Sequence, residues 1–244
     1  MTCNSRASVS RGPGEATPSD GKGAGLTVPG ARAFVLAETR LQRVPSVPEV
    51  ALHLAEEAHG LWLKTEAELQ SAGLAPPFWA FAWAGGQGLA RFILDHPAVV
   101  AGRRVVDFAS GSGLVAIAAR KAGASHVTAV DIDPFCGAAI LLNAEANGVS
   151  IDIAIKDPVG KMIKADILLA GDVFFDRAMS AAIIPWFDRL AGEGVQILIG
   201  DPGRAYVPVE RLERLAVHRV PTSQALEDAD FKATTVWRWR RGAG

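Results

Sequence analysis

The sequence predicts an α/β fold, a doubly wound and mostly parallel seven-stranded sheet closed at one edge by an antiparallel hairpin. Three observations predict it. Val105-Val-Asp-Phe-Ala-Ser-Gly-Ser-Gly-Leu-Val-Ala-Ile117 reads as a strand, a tight glycine turn and a helix, and Val127-Thr-Ala-Val-Asp-Ile-Asp133 reads as a second strand ending in a carboxylate. From Arg104 to Gly200, short β-branched apolar runs alternate with helical periods, the pattern of a parallel sheet covered on both faces. Near the end of the chain, two strand-like runs follow each other without a full helix between them, so one edge turns antiparallel.

Taken in order, Met1 to Gly30 is rich in Gly, Ser, Pro and Arg and has too little apolar surface to offset chain entropy, which predicts a disordered leader over 1–30. A transit peptide is the sharper alternative, but Glu15 and Asp20 spoil its amphipathic pattern. From Phe34 to Gln70, Val47, Ala51, Leu54, Ala58 and Leu61 share one face at helical spacing behind Pro48, which predicts an N-terminal helical segment over 31–76. The remaining domain, 77–244, opens on an aromatic stretch, Phe78 to Trp83, followed by a helix from Gly88 to Asp95. Strands are expected at Arg104 to Phe108, His126 to Val130, Ile151 to Ile155, Ala165 to Ala170, Val195 to Gly200, Leu215 to Val220 and Thr234 to Arg240. Between the early ones lie helices at Leu114 to Ala122, Pro134 to Asn147 and Arg177 to Leu190, the second stopped by Asn147-Gly148 and the third kinked at Pro185.

Composition narrows the function classes. A chain of 244 residues with 49% hydrophobic side chains buries a sizeable core, and 25 basic against 26 acidic residues leave no field that would draw it to nucleic acid or an anionic membrane. Cys3 and Cys136 form no disulfide framework and no Cys-x-x-Cys metal pattern, which points to a reducing compartment. His53, His59, His96, His126 and His218 are scattered without metal spacing. No apolar run approaches the roughly 18 to 20 residues that span a bilayer.

At the glycine turn, Gly111 and Gly113 let the backbone approach a ligand and take up positive φ. Asp131 stands where an acid meets the ribose of a nucleoside cofactor. The turn alone also fits a dinucleotide, with Asp131 18 residues beyond Gly113, but Asp107 beside it favours a cationic ligand over a pyrophosphate. Asp133 is placed to cap the helix that starts at Pro134.

Asp107-x-x-x-Gly111-x-Gly113, the acid Asp131 after the second strand, Asp157 after the third and Asp172 after the fourth resemble the seven-strand S-adenosylmethionine-dependent methyltransferases, a Rossmann-like fold. Within them, Pro77-Phe-Trp-Ala-Phe-Ala-Trp-Ala-Gly-Gly-Gln87 together with Gly171-Asp-Val-Phe-Phe-Asp176 is similar to the lysine methyltransferases of the electron-transfer flavoprotein β subunit, cousins of the ribosomal protein L11 methyltransferases. The family turn usually carries Gly where this chain has Ala109.

The resemblance implies S-adenosyl-L-methionine as cofactor, with Asp107 near its methionine amine, Asp131 on the ribose and Trp83 packed beside it. Asp157 is either the adenine partner or an ordinary Asp-Pro turn, and Trp79 is either a core or lid aromatic or a site residue. For the acceptor, the resemblance implies that Asp172 and Asp176 orient a lysine amine between aromatic walls at Phe174 and Phe175. Gln87 either contacts substrate or cofactor or caps the helix it precedes, and the role of Asp201 stays open. The implied partner is a protein substrate, the flavoprotein β subunit, with neither nucleic acid nor membrane, in the cytoplasm or, if the leader is a transit peptide, the mitochondrial matrix. The alternatives are an L11-type or small-molecule amine acceptor, an NAD(P)-dependent oxidoreductase, or a scaffold that keeps the fold without catalysis.

Overall fold

The computed structural model describes residues 28–56, 76–222 and 227–240. A seven-stranded sheet organises them: β3 (Arg104–Phe108), β4 (His126–Asp131), β5 (Asp152–Ile155), β6 (Ile167–Gly171), β7 (Gln196–Asp201), β8 (Leu212–Pro221) and β9 (Phe231–Trp239), in the order β5-β4-β3-β6-β7-β9-β8. The pairs from β5 through β7 are parallel, whereas β9 runs antiparallel to both β7 and β8, as the two late strand-like runs predict. Strand order reverses between β3 and β6, so the crevice expected of such sheets falls at the carboxyl ends of these two strands.

The central strand β6 shows why the sheet needs cover on both faces. Ile167 and Leu169 enter one core with helices α2 (Ala84–Asp95), α3 (Leu114–Lys121) and α4 (Pro134–Ala146), while Leu168 and Ala170 enter a second under α5 (Arg177–Gly192). All four are fully buried, so the strand reads as an unbroken apolar run. Helix α5 runs through Pro185, and Asp133 caps α4 by accepting from the Phe135 N–H at 2.8 Å.

The N-terminal region departs from the predicted helix. Helix α1 (Val28–Glu38) is followed by an antiparallel hairpin of β1 (Arg40–Val44) and β2 (Val47–Leu54); the expected leader up to residue 27 and Ala58 and Leu61 lie outside the described residues. Val50, Leu52 and Leu54 alternate inward with period two and pack on Ala90, Leu114 and Ile117. Side chains of α4 and of the residue that caps its end bond to the strand: Asn147 both donates to and accepts from the Ala51 backbone, and Asn143 Oδ1 accepts from the His53 N–H at 2.6 Å. Period-two burial and these distant amides override the helical spacing of Val47, Ala51 and Leu54.

Helix α2 begins at Ala84, not at Gly88, and its glycines explain the earlier start. A Cβ on Gly85 would lie 2.3 Å from the Gly200 carbonyl oxygen, one on Gly200 2.1 Å from the Gly85 carbonyl oxygen, and one on Gly171 2.9 Å from Gly86 Cα. The helix therefore lies directly on the backbones of β6 and β7, with no side chain between them. Gln87 is buried inside it, donating to the Ala82 carbonyl and accepting from the Ser46 N–H, which fastens the hairpin turn rather than capping a helix.

Candidate active site

The glycine turn after β3 holds three residues in the left-handed region, Ala109 at φ 53°, Gly111 at 53° and Gly113 at 81°. Two carboxylates fix it. Asp107 Oδ2 accepts from Ser110 Oγ at 2.5 Å and from the Ala116 N–H at 3.0 Å, so a buried acid of the strand serves the first turn of α3 where no side chain caps it. Asp131 Oδ2 accepts from the Gly111 N–H at 2.9 Å, while its Oδ1 accepts from the N–H groups of Ile132 and Asp133. Asn143 joins this turn to the hairpin, since its Nδ2 donates to the Ser112 carbonyl at 2.8 Å.

This arrangement decides what the turn can hold. A pyrophosphate needs free N–H groups at the turn and helix start, but here those of Gly111 and Ala116 already point at carboxylates. Burial pushes the Asp107 carboxyl up to about 7, against the hydrogen bonds from Ser110 and Ala116, with the charge of Asp131 adding to the rise. A ligand cation beside Asp107 would favour its ionised form. The open space over Gly111, where a Cβ would meet only the Phe78 carbonyl oxygen at 3.7 Å, and the remaining acceptor capacity of Asp131 fit a cationic nucleoside such as S-adenosylmethionine.

Beside the turn stands an aromatic group. Trp83 directly precedes α2, its Nε1 donates to the Phe78 carbonyl at 3.0 Å, and its ring meets Phe78 edge-on at 5.9 Å. Phe78 also meets Phe175 at 5.5 Å, and both rings are exposed, by 41% and 47%. Trp79 belongs to the core, stacked on Phe135.

The expected acceptor residues are only partly brought together. Phe175 stands at the crevice mouth, but Phe174 turns the other way and is buried against Trp239 and Phe187, so it is a core residue and not a wall. Asp176 is an N-cap: its carboxylate accepts from the Met179 N–H at 2.7 Å at the start of α5, which commits it to the helix rather than to an amine. Asp157 is exposed and closes a turn by accepting from the Val159 N–H, and no hydrogen bond among the described residues joins it to the glycine turn.

Asp172 differs most from expectation. It sits at φ 57°, a left-handed conformation that costs a non-glycine residue roughly 1–2 kcal/mol. Its Oδ2 accepts from the Gly86 N–H at 3.0 Å, and its Oδ1 accepts from Arg204 Nη2 at 2.6 Å and Nε at 3.0 Å. Arg204 in turn donates to both oxygens of buried Glu227 at 2.8 and 2.9 Å, and Glu227 faces the Ala84 N–H at 3.4 Å. The carboxylate that the sequence assigns to an incoming amine is thus already held by a guanidinium.

Burial raises the Asp172 carboxyl to about 6, even though the charge and hydrogen bonds of Arg204 pull it down; Glu227 and Asp201 add to the rise. Burial opposes the charge on Arg204, but Asp172 and Glu227 outweigh it and hold its pKa above the ordinary value. Asp201 orients Arg204 from behind, its Oδ1 accepting from the N–H groups of Gly203 and Arg204 at 2.7 Å. Gly200-Asp-Pro-Gly-Arg204 carries no sequence signal for this role beyond its position after a strand.

The chain is similar to known methyltransferases. The family model for ribosomal protein L11 methyltransferase (PrmA) matches residues 92–173, which contain the glycine turn and the acid of β4 but end before Phe175 and Arg204. The electron transfer flavoprotein beta subunit lysine methyltransferase of Xenopus laevis is 38% identical over 213 residues, 84% of this chain and 85% of that protein. The proteins of the same description from Danio rerio and Homo sapiens are 36% and 34% identical, over 84% and 88% of this chain and 82% and 85% of theirs.

Proposed function

The chain belongs to the electron transfer flavoprotein beta subunit lysine methyltransferase family, and we propose that it methylates lysine on that flavoprotein subunit with S-adenosylmethionine as the donor. The observation that carries the acceptor is a likeness spanning more than four-fifths of both chains, through elements on the acceptor side of the crevice as well as the donor side. The L11 methyltransferase likeness stops at residue 173, before Phe175 and Arg204.

Bound over the glycine turn, S-adenosylmethionine supplies an electrophilic methyl group on a positively charged sulfur. Asp107 and Asp131 are the residues that would hold it, with Trp83 and the exposed face of the turn alongside. The chain's own residues have a different task at the acceptor. With an unperturbed pKa near 10.4, a lysine amine costs on the order of 4–5 kcal/mol to present in neutral form at pH 7. Phe78 and Phe175 lower that cost by desolvating the nitrogen, because burial in apolar surroundings disfavours the ammonium.

A free carboxylate at the same place would do the opposite and hold the proton on the amine. Arg204 removes that obstacle by pairing with Asp172. The acceptor is therefore held by shape and desolvation, and positioning supplies most of the rate.

The test is direct: incubate the protein with methyl-labelled S-adenosylmethionine and purified flavoprotein β subunit, then locate the label by peptide mass spectrometry. Label on lysine is the expected result. A subunit that stays unlabelled while the protein binds the cofactor refutes the acceptor assignment.

A further inference from the structure

The geometry points to Arg204 as a positioning residue for methyl transfer, one that clamps the acceptor side of the crevice into a single body without bonding to the carboxylates of the cofactor turn. This inference rests on the lysine-methyltransferase reading. The guanidinium joins three segments remote in sequence: Asp172 at the end of β6, its own loop after β7, and Glu227 just before β9. Both carboxylates also receive the start of α2, Asp172 from the Gly86 N–H and Glu227 from the Ala84 N–H.

The clamp fixes the two exposed rings of the mouth through their backbones. Phe175 lies three residues beyond Asp172, and Phe78 is bonded through its carbonyl to Trp83, which directly precedes Ala84. Asp172 keeps its left-handed turn only while these partners hold it. Asp107, Gly111 and Asp131 share no hydrogen bond with Arg204, Asp172 or Glu227. The clamp reaches the donor side only through the backbone that carries Trp83, so its loss falls mainly on where the amine is held.

Among the described residues, the charged groups facing Asp172 are Arg204, Glu227 and Asp201, one cation among three acids counting Asp172 itself as the group they face. Arg204→Met removes the only cation of that set, and Arg204→Lys retains a charge that cannot make both forked contacts. For both variants the expected result is full cofactor-binding stoichiometry with a dissociation constant within about twofold of the wild type, and kcat on the flavoprotein subunit lower by about tenfold for Lys and on the order of 10²-fold for Met. A purely structural role lowers stoichiometry and activity together and leaves kcat per bound cofactor unchanged; that outcome overturns the inference.

Where Met fails to fold, Lys decides the matter by the same ratio. Carboxyl-carbon NMR of Asp172 provides a readout that needs no acceptor: loss of the guanidinium moves its titration upward from about 6, and an unmoved titration overturns the clamp. A wild type that leaves lysine unlabelled overturns the acceptor reading instead, with the Asp172 titration still deciding the clamp.

Discussion

Replacing Asp131 by asparagine separates a loop brace from a ligand contact. The carboxylate accepts three backbone N–H groups, from Gly111, Ile132 and Asp133. With about four lone-pair sites on a carboxylate, one stays available for a ribose hydroxyl. Asparagine has a single acceptor oxygen. If it stays on Ile132 and Asp133, its NH2 group faces the Gly111 N–H, donor against donor, and no acceptor is left for the ribose. Losing a charge-assisted hydrogen bond of about 1.5–3 kcal/mol weakens the cofactor by about 10- to 150-fold, and the orphaned Gly111 N–H lowers stability by roughly 1 kcal/mol. Titration calorimetry with S-adenosylhomocysteine reads the first effect and thermal melting the second. Asp131→Ala removes the same acceptors without the donor clash, so it loses the same affinity. An alanine variant that binds within twofold of the wild type refutes the ribose role.

The pH dependence follows from Asp107. Its folded carboxyl binds a proton up to about 7 against an ordinary 3.8, so across that window the folded state holds more protons and stability falls as pH rises. Cofactor affinity runs the other way, tightening about tenfold per pH unit until it levels off above about 7, and calorimetry of Asp107→Asn should show the slope gone. Gly85→Ala places a methyl group 2.3 Å from the Gly200 carbonyl oxygen and is expected to cost about 3 kcal/mol or more, read as a lower denaturant midpoint with unchanged slope. Ala109→Gly relieves a left-handed alanine at φ 53°, and after the entropy that glycine adds to the unfolded chain it should stabilise by up to about 1 kcal/mol; a lower melting temperature contradicts this.

The donor side was legible because its signals are local. A strand, a glycine turn and an acid at the next strand end lie within one stretch of chain, and the backbone geometry they require leaves few alternatives. The acceptor side was read less well for physical reasons that differ by residue. Phe174 and Phe175 are neighbours with the same side chain, and only the turn at Asp172 decides that one enters the core and the other the crevice. Asp176 stands three residues before the amide it caps, a signal present in the sequence but outweighed there by the motif around it. Arg204 and Glu227 meet across 23 residues and could be paired only once the sheet was built. In the hairpin, Val47, Ala51 and Leu54 imitate a helix face, and the amides of Asn143 and Asn147 that satisfy the strand instead lie about ninety residues away.

Asn143 gives that hairpin more than a structural part. One buried amide accepts from the His53 N–H with its oxygen and donates to the Ser112 carbonyl with its nitrogen, so a single side chain is shared by the outer hairpin and the cofactor turn. The N-terminal hairpin is thus built into the cofactor turn rather than laid beside it, and a change at Asn143 disturbs both at once.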